Sequence, residues 1–333
     1  MSRLRWVALG AGAVLVVLSA CGAGAWFHFE QLRDRPGPLP EARAIVVPHG
    51  GGDQVLAGLI EAGVVADPLA FRIAVWRSKS DGPLRASEFA FPAHASIAQV
   101  LTILRTARPV THRLTIPEGL TAFQVAALVT HAEAAQGVIE PLREGSLLPE
   151  TYAYEYGTQR SALVARARAA MTHELEAAWA DRGAVAPLSS PREALILASI
   201  VERETSKPEE RPHVASVYLN RLRRGMKLQA DPTVVYGASG GSGVLGHKLT
   251  RAELDRDDPF NTYRNTGLPP NPICMPGAAT LRAVLHPAQT DDLYFVADGS
   301  GGHVFAATLA AHERNVLRWR DFVASRLPHG SPD

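Results

Sequence analysis

Two carboxylates end a long apolar run in the middle of this sequence, and their type and spacing could support acid–base chemistry. Glu202 and Glu204 close the segment 190–205, whose central residues are almost wholly apolar. If the segment is a helix, Glu204 stands on the same face as three apolar residues, Leu197, Ile200 and Val201. A carboxyl on an apolar stripe is desolvated, which raises its pKa and lets it act as a general acid near neutral pH.

A plainer interpretation of the same pattern stays open. The apolar stripe could simply end at Glu204, which would then be solvated like most glutamates. Glu202 lies roughly 200° around the helix from Glu204 and is the second candidate for the acid. Its own plainer role is a solvated side chain or an ion pair with an arginine that the sequence does not identify.

The helix that would carry both carboxylates begins with strong start signals. Ser190 can cap the free backbone N–H groups, Pro191 suits the first helical position, and Glu193 would complete a capping box. Since its middle is apolar on all sides, we expect this helix to be buried.

The N-terminus predicts a membrane anchor. Residues 6–29 contain no Asp, Glu, Lys or Arg, and about 24 residues suffice to span a bilayer. Arg3 and Arg5 precede this segment, so residues 1–5 are expected to be a cytoplasmic tail. We expect an uncleaved, single-pass helix in the inner (plasma) membrane, with the rest of the chain on the extracytoplasmic side. A lipoprotein anchor at Cys21, within a Leu-Ser-Ala-Cys sequence, is the alternative.

Composition narrows the function classes. The chain has 333 residues and a formal net charge of +1, which gives no argument for a nucleic-acid partner. Its two cysteines are Cys21 and Cys274, so we expect no disulfide in the soluble part and no cysteine metal site. The 12 histidines are scattered without a His-Glu-x-x-His pattern, which argues against a metal-dependent amidase or peptidase. We expect no metal and no cofactor.

The soluble part is predicted to be α+β. After a linker over 30–43, the module 44–110 is predicted to contain strands over 44–47 and 88–91, with helices over 53–63, 67–76 and 96–105. A mixed α+β catalytic domain is predicted over 111–327, followed by a tail over 328–333. Within that domain we expect helices over 190–205 and 208–224, an irregular segment over 260–277, a hairpin over 293–306 and a last helix after Thr308.

Several long blocks in this domain resemble one known family. They are 198–205 (ASIVERET), 214–222 (VASVYLNRL), 228–237 (LQADPTVVYG), 261–263 (NTY), 266–270 (TGLPP) and 293–299 (LYFVADG). Their residues and their order resemble the MltG (YceG-like) endolytic murein transglycosylases, over most of residues 115–315. The module 44–110 stands where that family has a LysM-like subdomain.

The resemblance implies a chemistry. Members of that family cleave the β-1,4 bond between N-acetylmuramic acid and N-acetylglucosamine without water and leave a 1,6-anhydro end. Glu204 matches the catalytic glutamate by position. The resemblance also suggests peptidoglycan glycan strands as substrate, termination of nascent strands, and peptidoglycan synthases as partners. Each of six polar residues is a candidate to orient the substrate but could instead form structural hydrogen bonds, and we expect about half of them to touch the substrate. They are Asn220, Gln229, Asp231, Tyr236, Asn261 and Tyr263.

Two other functions stay open from the residues. A hydrolase could use Glu204 with Glu202 or Asp231 as its second carboxylate, and it would leave reducing ends. A membrane-tethered peptidoglycan-binding scaffold would not need Glu204 at all.

Overall fold

The computed structural model describes residues 2–183 and 188–326 of the chain. These residues form two compact units. The first contains the chain up to His112 together with Tyr154–Gly157, and the second contains Arg113–Ala153 and the chain from Thr158 onward. The tail predicted over 328–333 lies outside the described residues.

The first unit begins with a long apolar helix. Its elements in chain order are α1 (Ser2–Asp34), β1 (Arg43–Val47), α2 (Gly52–Glu61), α3 (Pro68–Arg77), β2 (Ser87–Phe91) and α4 (Ile97–Thr106). The part of α1 over Ala13–Asp34 is long and apolar enough to cross a membrane, and almost none of it is buried. The predicted sequence of strands and helices over 44–105 is confirmed to within two residues at most ends.

A small core holds the first unit together. Strands β1 and β2 pair antiparallel with Ile45 opposite Phe89. Both side chains are buried, together with apolar residues of α2, α3 and α4. The start of α3 is fixed by Asp67, whose Oδ1 accepts hydrogen bonds from the N–H groups of Leu69 and Ala70 at 3.0 and 2.9 Å.

The rest of the chain, most of which is the second unit, is built mainly from helices with two small strand pairs. The remaining elements in chain order are β3 (Thr111–Thr115), α5 (Ala122–Thr130), β4 (Thr151–Glu155), α6 (Arg160–Ala180), α7 (Pro191–Glu204), α8 (Arg211–Arg223), α9 (Asp231–Ala238), α10 (Arg251–Leu254), α11 (Ala278–Leu285), β5 (Tyr294–Ala297), β6 (His303–Ala306) and α12 (Leu309–Arg326). Strand β3 pairs with β4, and β5 pairs with β6. The predicted mixture of helices and strands is confirmed, including the hairpin and the last helix.

Helix α7 is the centre of the second unit. Helices α6, α8, α9 and α11 pack against it, and its residues 196–201 are all buried. Ser190 caps it as predicted, because its Oγ accepts a hydrogen bond from the Glu193 N–H at 3.3 Å. The predicted capping box is wrong in one part. The Glu193 carboxylate accepts from the N–H of Ser189 at 2.7 Å and not from Ser190, since the chain before the cap turns toward it.

The irregular segment over 260–277 contains no regular helix or strand, as predicted. It is nevertheless tied to α7. The N–H of Ile273 donates to Oγ of the buried Ser199 at 3.0 Å, and Sγ of Cys274 donates to the Ser199 carbonyl at 3.2 Å. A polar residue inside the apolar helix therefore holds this segment beside the end of α7.

Candidate active site

The Glu204 carboxyl lies at the last residue of α7, where the buried stripe ends. The residue as a whole is partly exposed. Its Oε2 atom, however, is inaccessible to solvent and has no hydrogen-bond partner among the described residues. Burial raises the pKa of Glu204 from its ordinary value of 4.5 to about 7. The carboxyl is thus desolvated, as the stripe pattern predicts, and can be protonated at neutral pH.

Helix α8 supplies two groups that act on this carboxyl. The Tyr218 side chain is 1% exposed, and its hydroxyl interacts with Glu204. Arg221 is held beside the site by two backbone carbonyls, since its Nε donates to Leu293 at 2.6 Å and its Nη1 to Leu228 at 2.7 Å. Against the larger effect of burial, both groups lower the pKa of Glu204. They therefore favour the carboxylate that would remain after Glu204 gives up a proton.

Asp231 and Tyr263 form a second pair at the site. Asp231 is the exposed first residue of α9, and its Oδ1 accepts a hydrogen bond from the Tyr263 hydroxyl at 2.5 Å. The negative charge of Asp231 adds to burial in raising the pKa of Glu204. Burial and the bond to Asp231 raise the pKa of Tyr263, and the charge of Glu204 adds to that shift. The three side chains thus influence one another electrostatically.

Gln229 adjoins this cluster in an unusual backbone conformation. Its φ is +50°, in the left-handed region that residues other than glycine rarely adopt. Its N–H donates to the Thr262 carbonyl at 3.1 Å, which holds the conformation in place. The residue is exposed, and its Oε1 lies 3.5 Å from Nη1 of Arg221. Strained residues of this kind often occur at functional sites.

The contacts of Glu202 indicate a structural role for this residue. Its side chain is 3% exposed, and its Oε1 lies 2.9 Å from Nη2 of Arg211. Its Oε2 accepts hydrogen bonds from the N–H of Gly277 at 2.8 Å and from Oγ1 of Thr280 at 2.6 Å. Arg211 also contacts Glu118 at 3.1 Å. Arg211 is therefore the ion-pair partner that the sequence could not identify, and both oxygens of Glu202 are engaged.

Asn220 and Asn261 are buried and bound to the backbone. The Asn220 amide donates to the carbonyls of Thr290 and Asp292 at 2.8 and 3.0 Å. The Asn261 amide donates to three carbonyls, those of Glu253, Leu254 and Arg256. Their polar groups fix the loops around the site, and this geometry does not bring them together with Glu204.

Tyr236 lines a cavity of about 480 Å³ with a different carboxyl. Its hydroxyl donates to Oε1 of Glu144 at 3.2 Å, and its ring packs on Phe260 with centroids 4.8 Å apart. Burial raises the pKa of Glu144 to about 7, and hydrogen bonds from Ala122 and Tyr236 oppose the rise. Arg192, near the start of α7, also borders this cavity. Tyr236 thus belongs to a second polar site of the same unit.

Three residues of these sites escaped the sequence reasoning. Tyr218 fits the apolar face of α8, and nothing in its spacing distinguishes a phenol that faces a carboxyl from one that only packs. Arg221 stands three positions later and therefore on the same face of that helix, which is a usable signal. Glu144 lies in a loop without periodicity, and no local pattern marks it.

The described residues, 2–183 and 188–326, contain no group of three or more His, Cys, Asp or Glu side chains that could hold a metal ion. Two of the histidines in the second unit are engaged in pairs. His213 contacts Asp292 at 2.8 Å, and His303 contacts Glu210 at 2.7 Å.

Known proteins resemble this chain in sequence and in fold. An endolytic murein transglycosylase of Bacillus subtilis is 42% identical over 125 residues, covering 38% of this chain and 34% of that protein. The endolytic murein transglycosylase of Streptococcus pneumoniae is 29% identical, covering 91% of this chain and 63% of that protein. The chain therefore spans between about a third and two thirds of the lengths of these relatives.

A crystal structure of a yceG-like protein from Listeria monocytogenes matches the fold with a TM-score of 0.50 and 26% identity, covering 83% of this chain and 99% of that one. The model of the YceG-like family matches residues 45–318, which is well over half of the sequence. This chain belongs to the YceG-like family.

Proposed function

We propose that this chain is an endolytic transglycosylase of peptidoglycan, a lyase in which Glu204 is both the catalytic acid and the catalytic base. One observation carries the proposal. The Oε2 atom of Glu204 is buried and has no protein partner among the described residues. A desolvated carboxylate oxygen without a hydrogen-bond partner is costly, so this environment favours the protonated form of Glu204, which is the form that can donate a proton. The relatives named endolytic murein transglycosylase support the substrate class.

The proposed reaction breaks the β-1,4 bond between N-acetylmuramic acid and N-acetylglucosamine. Protonated Glu204 donates its proton to the glycosidic oxygen as the bond from that oxygen to C1 breaks, and N-acetylglucosamine leaves with a free hydroxyl. The Glu204 carboxylate then takes the proton from the C6 hydroxyl of the muramic acid, whose oxygen closes onto C1. No water is consumed, and the product carries a 1,6-anhydro end.

One carboxyl suffices for this reaction. Ordinary glycosidases need a second carboxylate to activate water or to form a covalent bond to the sugar. Here the nucleophile is part of the substrate and gains from proximity. A pKa of about 7 lets Glu204 give and take back a proton at neutral pH. Tyr218 and Arg221 would stabilise the carboxylate between the two transfers.

The substrate contacts divide between the two polar sites. We propose that Asp231 and Tyr263, which act electrostatically on Glu204, and Gln229, which lies beside Arg221, orient the N-acetyl groups and support the positively charged transition state. Tyr236 would contact the glycan strand farther along, since Asp231 and Tyr236 stand five residues, or about 7.5 Å, apart on α9. For Asn220 and Asn261 we propose an indirect role, because backbone carbonyls occupy their amides.

A hydrolase is the second candidate, and the position of Asp231 is what favours it. Asp231 is near enough to Glu204 to raise its pKa, so it could activate water. Glu202 is a poor second carboxylate, because Arg211 and two hydrogen-bond donors occupy it. The two reactions differ in their products, which are anhydro ends for the lyase and reducing ends for the hydrolase.

The surrounding architecture follows the family pattern in this proposal. Helix α1 would be a single-pass anchor in the inner membrane, with the chain after it on the extracytoplasmic side. Residues 44–110 would be a LysM-like module and residues 111–327 the catalytic domain. The two-stranded sheet and flanking helices of residues 44–110 support the comparison with a LysM-like module. Such an enzyme would act beside peptidoglycan synthases and could terminate nascent strands.

Mass spectrometry of glycan ends tests the reaction and the acid together. The full chain in detergent micelles would digest uncrosslinked peptidoglycan beside its Glu204→Gln and Glu209→Gln variants. Glu209 is an exposed glutamate near the same helix and serves as the matched control. We expect internal anhydro-muramyl ends from the wild type and from Glu209→Gln, and none from Glu204→Gln. Reducing ends would establish the hydrolase, and equal products from all three proteins would remove Glu204 from the mechanism.

A further inference from the structure

Helix α3 in the first unit carries an exposed apolar face. Leu69, Ile73 and Trp76 are 68%, 37% and 76% exposed. They stand at i, i+4 and i+7 and therefore share one side of the helix. The opposite side packs into the core of the unit through Phe71 and Ala74. Three exposed apolar side chains on one helix face form the kind of patch that marks an interaction surface.

Contacts with α1 fix the position of Trp76 along the axis of that helix. The guanidinium of Arg77 lies over the Trp26 ring at 3.7 Å from its centroid, and over the Phe29 ring at 5.0 Å. Nη1 of Arg77 also lies 3.3 Å from Oε1 of Glu30. The C-terminal end of α3 is therefore level with residues 26–30 of α1.

Residues 26–30 are where the apolar part of α1 ends. The uncharged run over residues 6–29 is about 36 Å long at 1.5 Å per residue, compared with a hydrocarbon core of about 30 Å. The last turn of the run would therefore lie at the boundary between the acyl chains and the headgroups. Tryptophan is enriched at that boundary, and basic side chains there extend toward the headgroups.

We propose that Trp76 and Arg77 at the C-terminal end of α3, together with Lys79 just after it, insert into the headgroup region of the lipid bilayer that α1 crosses. The inference rests on the proposed membrane anchor. Trp26 on α1 and Trp76 on α3 then occupy the same interfacial layer, and both are exposed in the protein, at 55% and 76%. Arg77 stacks on one of these rings and pairs with Glu30 at headgroup depth, and exposed Lys79 supplies a positive charge for anionic lipids.

The N-terminal end of α3 is expected to lie outside the bilayer. Asp67, which caps α3, borders a cavity together with Arg35 and Pro36, the residues that follow α1. Leu69 is therefore farther from the apolar run than Trp76, although the two are similarly exposed. This contact would hold the first unit at a fixed tilt on the membrane, since it adds a second attachment beside the α1 helix.

Depth measurement with nitroxide labels tests the proposal. The full chain with Cys21→Ser would be labelled at single cysteines and reconstituted in vesicles of phosphatidylethanolamine and phosphatidylglycerol. Cys274 is fully buried and would stay unlabelled.

The labelled sites are Trp76→Cys and, with Trp76 intact, Lys79→Cys. The controls are Val16→Cys within the span, Leu69→Cys on the same helix, and Val138→Cys on the exposed surface of the second unit. Power saturation compares collisions with oxygen, which enters lipid, and with a water-soluble nickel chelate.

We expect the labels at positions 76 and 79 to collide severalfold less with the nickel chelate than the labels at positions 69 and 138. The label at position 16 should be protected still more strongly. If the label at position 16 is buried in lipid but the labels at positions 76 and 79 are as accessible to the nickel chelate as the label at position 138, the surface contact is overturned and the anchor is not. A water-accessible label at position 16 would overturn both the anchor and the contact. Neither result depends on the enzymatic activity, so the proposed reaction is tested separately.

Discussion

Nη2 of Arg211 lies 2.9 Å from Oε1 of Glu202, and this ion pair gives the two carboxylates at the end of α7 different roles. Glu202 is paired and hydrogen bonded, so it serves the fold. Glu204, two residues later, leaves one buried oxygen without a partner and so remains available for chemistry. The same residue type on the same helix thus has opposite effects on stability.

The first prediction is that the two isosteric substitutions change stability in opposite directions. Glu202→Gln leaves Arg211 without its buried partner and should lower the free energy of unfolding by about 3 kcal/mol, at the low end for broken buried pairs because Glu118 still contacts the arginine. Glu204→Gln should raise it at pH 7, because part of the buried carboxyl is charged at that pH and glutamine is not. Chemical denaturation at that pH measures both. Equal losses in the two variants would mean that Glu204 also has a structural role.

A second prediction concerns pH and stability. The pKa of Glu204 is raised from 4.5 to about 7, because folding favours the protonated carboxyl. The stability of the wild type that depends on this proton is therefore fully present below pH 4.5 and is lost as the pH rises through about 7. Removing the carboxyl in Glu204→Gln should therefore change stability little at low pH and increase it relative to the wild type near pH 7 and above. Denaturation midpoints across this range give the difference curve. Contributions from Glu144 and Glu202 are common to both proteins and cancel in that difference.

Tyr218 allows the pH dependence of the reaction to be shifted. Proton donation requires protonated Glu204, so activity should fall as the pH rises above about 7. The Tyr218 hydroxyl lowers the pKa of Glu204, so Tyr218→Phe should move this alkaline limb to higher pH. The ring stays packed against Phe295, at a centroid distance of 5.8 Å.

Tyr152→Phe is the matched control for that shift. Tyr152 is also buried, and its hydroxyl donates to the Leu148 carbonyl at 2.7 Å, away from Glu204. Losing this bond should cost about 1 kcal/mol of stability without moving the pH limb. An unchanged limb in Tyr218→Phe would show that the hydroxyl does not act on the catalytic carboxyl.

The side chain of Gln229 is expected to support activity, while its left-handed backbone lowers the stability of the protein. Gln229→Gly relieves the left-handed backbone at φ +50° and should leave stability unchanged or raise it by up to about 1 kcal/mol. Activity should fall, because the side chain beside Arg221 is lost. Ala134→Gly is the control, since Ala134 has a similar φ of +59° outside the two sites. It should change stability in the same way and leave turnover intact. Full activity in Gln229→Gly would assign the side chain no role.

Local sequence features were sufficient to predict α7 to within one residue at each end. Ser190, Pro191 and an apolar run define the start and the burial of that helix, and these are short-range signals. Whether a carboxyl is paired depends instead on residues from other elements. Arg211 and Gly277 reach Glu202 only after α8 and the segment following 260 have packed on α7.

The candidate substrate residues show the same limit. Asparagine amides bind sugars and backbone carbonyls equally well, and only tertiary structure shows that Asn220 and Asn261 bind carbonyls. Asp231 and Tyr263 are 32 positions apart in the chain, yet their side chains meet at 2.5 Å. No periodicity predicts such a pair, and the resemblance to a family selected both residues without indicating their contact.

The last prediction distinguishes the role of the cavity around Tyr236 in binding the glycan strand from the role of Glu204 as the acid. Tyr236→Phe keeps the ring on Phe260 and removes the hydroxyl that donates to Glu144. If the glycan strand extends over this cavity, KM for long strands should rise, whereas kcat and the alkaline limb set by Glu204 should not change. Short oligosaccharides that do not reach the cavity should be cleaved equally by both proteins. A loss of kcat on short substrates would place Tyr236 at the reacting bond, because only there could its hydroxyl affect the transition state without affecting the binding of distant sugars.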